Sequence, residues 1–286
     1  MNKNPPVRHS GTDEPIFRES AAKVFADIDL YPDDKCLELS GDLEKKYLLN
    51  HIECVWQNLG MIGEGLKAMR CQKQPSILDI GTSPLTFIYR DCLRDVHLFT
   101  IDLTSLLAGR CREAGIDHRV CNLLKDAIPL DDGQMDMVVF TEVLEHLSTG
   151  PGSVFAEIKR LLRPGGMLVF SVPNAARLKN RINALLGKPV LDPVYVVFKE
   201  DKAQHSQGDG VWVHGFGHVR EYTMSEALDL VRHYGFEVQG ARSVDSYITP
   251  PEGSSRVRRL ASAICRIASF VIPNSRMINL VLAKRS

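Results

Sequence analysis

"LDIGTSPLT", residues 78–86, is the stretch on which the fold turns. A short apolar run enters Asp79 and Gly81, as a strand enters a ligand-binding turn. Gly81 permits a tight turn and close approach of backbone to a ligand. A loop that cradles phosphate would continue with further glycines and a free helix N-terminus. Here Thr82, Ser83, Pro84 and Leu85 follow. Pro84 removes one N–H donor and stiffens the turn. The loop therefore lacks the full phosphate cradle, and its purpose has to be read from the segments around it.

Those segments repeat one rhythm. "SILDIG" (76–81), "HLFTID" (97–102), "MDMVVFT" (135–141) and "GMLVFSVP" (166–173) are short apolar runs of strand length. Continuous apolarity fits strands covered on both faces, hence a parallel sheet. Helical or loop segments separate them, and the alternation predicts a doubly wound α/β fold. "SVFAEIKRLLRPGG" (153–166) reads as a helix with Phe155, Ile158, Leu161 and Leu162 on one face, stopped by Pro164 and two glycines. Upstream, apolar residues at helical spacing from Leu43 to Leu59 predict a helix over 42–69, with Asp42 as its N-cap. Downstream, "TMSEALDLVRHYGFEV" (223–238) predicts a helix capped by Thr223 or Ser225, followed by a strand over 236–244. The chain closes on a strand at 276–285. One domain over 15–286 is expected: N-terminal helices at 15–75, a core at 76–174, an insert at 174–217 and the remainder of the sheet at 218–286. Residues 1–14 read as disordered. The insert holds a short helical piece (Leu178, Ile182, Leu185) ended by Gly187, and a long irregular stretch of the kind that serves as a lid.

Bulk properties exclude several classes. The chain has 286 residues, 44% of them hydrophobic, and its 35 basic and 35 acidic residues cancel. Without a broad basic surface a nucleic-acid partner is not expected. The seven cysteines contain no C-x-x-C and read as reduced thiols in a cytoplasmic protein. The polar start, "MNKNPPVRHSGTDEP", precedes no apolar signal-peptide core, and no apolar run approaches the ~20 residues that span a bilayer. Charge is uneven locally. Residues 254–286 carry seven Arg or Lys and no acid, and 256–272 form a basic amphipathic pattern. Packing on the sheet is its ordinary use; peripheral contact with anionic lipid is the other.

"ILDIG", "IDLT", "CNLLKDAIPLDDGQMDMVVFTEVLEHL" and "EIKRLLRPGGMLVFSVPN", in that order, resemble the class I S-adenosylmethionine-dependent methyltransferases. The branch that includes ubiquinone-biosynthesis O-methyltransferases is the most similar. The resemblance covers residues 76–174, with a looser echo at 218–238. It implies a mostly parallel, seven-stranded Rossmann-like sheet whose last strand is antiparallel, and S-adenosyl-L-methionine as cofactor. The first loop of that family meets the amino-acid end of the cofactor, a zwitterion rather than a pyrophosphate. On that basis Asp79, Gly81 and Ser83 are assigned to cofactor binding, with the Ser83 hydroxyl toward the carboxylate or amine. Asp102, at the end of the second strand, has the spacing of a carboxylate that accepts from ribose hydroxyls. Asn122 stands where the family has an Asp facing the adenine amino group, and Leu103 and Leu123 would flank the ring.

"TEVLEHL" brings Glu142, Glu145 and His146 to one side of a helical turn. Two functional readings stay open. In one, Glu142 faces the cofactor and His146 serves as general base. In the other, the E-x-x-E-H pattern and a later histidine, His214 or His218, hold Mg²⁺ or Mn²⁺. The third is structural capping. In "HVREYT" (218–223) alternation puts His218, Arg220 and Tyr222 on one side, with His218 a second candidate base and Arg220 and Tyr222 candidate substrate contacts. The expected activity is O-methylation of a small-molecule, sugar or lipid-linked hydroxyl. The glycine-poor loop motivates a non-catalytic methyltransferase-like scaffold as the alternative. A nicotinamide-dependent oxidoreductase shares the Asp102 spacing but fits the loop badly.

Overall fold

A computed structural model describes residues 14–26, 41–69, 74–93, 95–147, 150–191, 218–245, 267–268 and 271–286. Helices α1 (Glu14–Ala26) and α2 (Gly41–Met69) precede an alternating series. It runs β1 (Ser76–Ile80), α3 (Pro84–Cys92), β2 (His97–Asp102), α4 (Ala108–Glu113), β3 (Asp117–Val120), β4 (Met135–Thr141), α5 (Gly152–Leu161) and β5 (Leu162–Pro173). Helices α6 (Leu178–Leu185) and α7 (Met224–His233) and strands β6 (Phe236–Val244) and β7 (Ile278–Arg285) complete it. The seven strands form one sheet in the order β3-β2-β1-β4-β5-β7-β6. β1 to β5 pair in parallel, whereas β7 runs antiparallel to both β5 and β6.

Strand periodicity sorts the core into two layers. Ile77, Met137, Val139, Met167, Val169, Leu280 and Leu282 pack with Val55, Leu59 and Ile62 of α2 and Phe17 of α1. Their neighbours Leu78, Val138, Phe140, Leu168, Phe170, Val281 and Ala283 pack on the other face with Phe155 and Ile158 of α5 and Val231 of α7. Successive side chains point to opposite faces, so a strand covered on both sides is apolar at most positions, and its few polar residues, such as Asp79 and Ser171, are buried and hydrogen-bonded.

Three expectations need correction. The helix expected over 153–166 ends at Leu161. Pro164 disfavours the helical region for the preceding residue, and Leu162 is already extended and pairs with Met135 of β4, with a register shift before Met137 pairs with Met167. Strand β3 went unread because it is a polar edge strand, with Asp117, Arg119 and Val120 exposed. Helix α2 begins at Gly41, so Asp42 lies in its first turn rather than at its cap. Residues 1–13, 192–217 and most of 256–272 lie outside the described residues, and with them the expectations of a disordered terminus, of a lid beyond residue 191, of a role for His214 and of an amphipathic segment. Among the described residues no helix is long and apolar enough to cross a membrane, and Cys111 and Cys121 are free thiols.

Candidate active site

The sheet order reverses at β1: β2 and β3 lie on one side, β4 and β5 on the other. At such a switch point the loops after the strands diverge and leave a crevice at their carboxyl ends. Gly81, Asp102, Asn122 and Glu142 all stand there.

The loop after β1 is built by local hydrogen bonds rather than by glycines. Gly81 has φ +95°, and its N–H continues the ladder to Ile101 O at 2.9 Å. Ser83 is the N-cap of α3, with its hydroxyl accepting from Leu85 N at 3.2 Å and Pro84 in the first turn. The Thr86 hydroxyl accepts from Ser83 N at 3.1 Å and donates to Asp79 Oδ2 at 2.7 Å. One threonine thus closes the capping box and ties it to the strand, so the turn needs no second glycine. Asp79 is buried, and burial pushes its carboxyl up to about 7 despite the Thr86 bond. It lies under the loop as a brace.

A cavity of about 200 Å³ opens beside this loop, lined among others by Gly81, Asp102, Leu103, Asn122, Leu123 and His146. It is smaller than the roughly 300–1,000 Å³ of drug-sized sites. Asp102 Oδ1 accepts from Thr104 N at 3.0 Å and from its hydroxyl at 3.3 Å, and burial raises its carboxyl above the usual range. Asn122 Oδ1 accepts from Leu124 N at 3.0 Å, so the side chain also shapes its own turn. Of the eight assigned cofactor residues, Gly81, Asp102, Leu103, Asn122 and Leu123 line this cavity. Asp79 and Ser83 support it from the loop, and Glu142 belongs to a second cluster.

That cluster follows β4. Glu142 has φ +54°, unusual for a residue with a side chain, and accepts from Ser171 Oγ at 2.8 Å. Burial pushes its carboxyl up to about 7. Glu145 is 1% exposed, its Oε2 has no hydrogen-bond partner among the described residues, and its Oε1 is 3.8 Å from His146 Nε2. Burial first, and the neighbouring Glu142 second, raise its carboxyl well above the ordinary value. His218 arrives from the far segment, which the Glu145 carbonyl anchors by accepting from Val219 N at 2.7 Å. One ligand atom each of Glu145, His146 and His218 lie within 4.8 Å of one another.

The expected alternation of His218, Arg220 and Tyr222 holds only for the last two. The Arg220 guanidinium lies 4.9 Å over the Tyr222 ring and pairs with Glu226 at 2.7 Å. Tyr222 is a buried core residue. His218 turns instead to Glu221, because residues 218–220 bend around the Glu145 carbonyl and break the extended period. Glu221, Arg177, Asn180 and Ser171 were not singled out from sequence. No spacing marks them, since each matters through a partner remote in the chain.

Residues 78–170 match a family described as a methyltransferase domain. They span β1 to β5 and carry the cavity. The chain contains a class I S-adenosylmethionine-dependent methyltransferase domain. A Mycolicibacterium smegmatis protein named "Probable S-adenosylmethionine-dependent methyltransferase" is 27% identical over 72% of this chain and 65% of its own length. A dimethylglycine N-methyltransferase of Parasynechococcus marenigrum is 29% identical over 49% of each chain. A ubiquinone biosynthesis O-methyltransferase of Methylococcus capsulatus is 35% identical over 32% of this chain and 40% of its own. The matches thus span less than two thirds of those relatives. The methyltransferase domain is common to them, whereas the acceptor atom differs between nitrogen and oxygen.

Proposed function

We propose that this chain transfers a methyl group from S-adenosylmethionine to a hydroxyl of a small molecule, which includes sugars and lipid-linked acceptors, with a divalent cation bound by Glu145, His146 and His218. The observation that carries the proposal is His146, which lines the cavity and belongs to the Glu145–His218 cluster. A cofactor site and an ionic site sharing one side chain fit a reaction at their boundary.

The residues present fit the cofactor. Asp102 offers a carboxylate to ribose hydroxyls, Leu103 and Leu123 offer apolar surface to a flat base, and Gly81 admits ligand close to the backbone. When bound, S-adenosylmethionine supplies an electrophilic methyl group. The cation is favoured by the orphaned Glu145 oxygen: a buried carboxylate without a donor is costly, and a hard cation with mixed carboxylate and imidazole ligands removes that cost. Such a cation supplies positive charge that favours the ionised form of an acceptor hydroxyl. The domain's own part is to align acceptor and methyl and to exclude water. The second reading keeps the cluster metal-free, with an imidazole nitrogen of His146 or His218 taking the hydroxyl proton. It is favoured by the position of His146 in the cavity wall.

Calorimetric titration with S-adenosylmethionine and S-adenosylhomocysteine, with Asp102→Ala alongside, tests the cofactor site. Micromolar binding that the variant loses supports it; no binding by folded protein overturns it and favours a scaffold. Activity that survives exhaustive chelation overturns the cation and leaves the base.

A further inference from the structure

Glu221 is a buried carboxylate, its side chain 2% exposed, between the candidate ligand His218 and the core residue Tyr222. Three groups converge on its two oxygens. Arg177 Nη2 donates to Oε1 at 2.7 Å, His218 Nδ1 meets the same oxygen at 3.1 Å, and Asn180 Nδ2 donates to Oε2 at 2.7 Å. The orientation of the Asn180 amide is fixed independently. Its Oδ1 accepts from Arg177 Nε at 3.0 Å, and its Nδ2 also donates to Ala175 O at 3.1 Å. Asn180 and Arg177 therefore reach Glu221 only as donors. A guanidinium stays charged and its fork favours a carboxylate, so both oxygens of Glu221 are acceptors. The His218 Nδ1 facing them then carries hydrogen, and a neutral imidazole has only Nε2 left as a lone pair.

We propose that Glu221 is a positioning residue that fixes His218 as the Nδ1–H tautomer, leaving Nε2 as its one nitrogen for a cation or a proton, with Arg177 and Asn180 locking the carboxylate. This rests on reading His218 as part of the reactive cluster. A carboxylate behind a ligating imidazole orients the ring and strengthens it as a ligand. The arrangement also ties the turn after β5 and the start of α6 to the site, because Arg177 and Asn180 belong to them. Glutamine cannot replace Glu221 silently. Its NH₂ end would face either the Asn180 donor or the Arg177 and His218 donors.

The test is the ring-nitrogen NMR spectrum of the ¹⁵N-histidine-labelled full chain at pH 8, where imidazole of ordinary pKa is neutral. His218→Gln assigns the signal. The expected result is Nδ1–H in the unaltered protein and a shift toward Nε2–H in Glu221→Gln. An Nε2–H tautomer in the unaltered protein overturns the proposal without any variant, so a misfolded Glu221→Gln leaves it testable. Manganese ion alone is then titrated into both proteins. A loss of about 10–100-fold in Glu221→Gln, with S-adenosylhomocysteine binding unchanged, supports the positioning of a ligand. Unchanged tautomer and unchanged manganese affinity overturn the proposal while leaving the cation reading intact. A tautomer that shifts in a protein that never binds manganese supports the positioning and overturns the cation instead.

Discussion

His146 and His218 meet edge to face, with ring centroids 5.2 Å apart and planes at 71°, although they lie on opposite sides of the insert. The Glu145 carbonyl makes the meeting possible by accepting two backbone N–H groups from the incoming segment, Val219 at 2.7 Å and Arg220 at 3.3 Å. Glu145 thus holds the second histidine through its backbone and leaves its side chain for the cluster.

Glu145→Gln separates folding from function at this point. The substitution keeps shape and removes the ionisable carboxyl whose Oε2 has no partner. Without added metal the two proteins are expected to differ in stability by less than about 1 kcal/mol, because the amide is as polar as the carboxyl and leaves a buried group equally unsatisfied. Manganese is expected to stabilise the original protein and not the variant. Thermal melts with and without manganese check both; equal stabilisation of the variant and the original protein by manganese would contradict the account.

Gly81→Ala tests the loop after β1. The backbone there has φ +95°, and an added Cβ would stand 2.8 Å from Val143 Cγ2. Conformational strain and the clash together are expected to cost about 1–3 kcal/mol. Adding Val143→Ala is expected to restore only part of this, since it relieves the clash and leaves the backbone strained. Denaturant unfolding of the original protein and the two variants reads the difference.

Ser83→Ala reports on the capping role. The Ser83 hydroxyl accepts from Leu85 N, so its loss is expected to cost about 0.5–2 kcal/mol. Stability and S-adenosylhomocysteine affinity are measured together. A capping residue changes the first more than the second, whereas a direct ligand contact weakens binding with stability intact.

Asp79 gives a pH signature. Burial raises its carboxyl from 3.8 to about 7 in the folded protein. A group with a raised folded value contributes stability at pH below its unfolded value, and that contribution is lost as pH rises toward the folded value. Across pH 4 to 7 the original protein is therefore expected to lose stability relative to Asp79→Asn. The variant is the more stable at pH 8, by a few kcal/mol, and the two converge near pH 4. Parallel stability curves over that window would show that Asp79 does not titrate as described.

Much of this was legible before folding. The strands β1, β2, β4 and β5 stand out because a strand covered on both faces is apolar at nearly every position, as "MVVF" is and as "ILDI" is apart from Asp79. Gly81 and Asp102 could be assigned because each stands at the carboxyl end of a strand that was read, and a parallel sheet brings those ends to one edge; Asn122 and Leu123 were assigned from the family resemblance alone. β3 escaped notice because an edge strand has an exposed side and tolerates Asp117 and Arg119. The end of α5 was placed late because the apolar face of the helix runs without a break into β5.

By itself the sequence determined the layer architecture and the parallel core, since these follow from local periodicity and chain order. Tertiary structure decided how Glu221 is held behind His218. Arg177, Asn180 and Glu221 come together only after the bridge between Asn174 and Tyr222 closes the insert. Hydrogen bonds between residues distant in sequence leave no period in the chain. Their geometry is set by how the strands pack, and it brings His218 to the buried Glu145 and the half-buried His146 as the third member of their cluster.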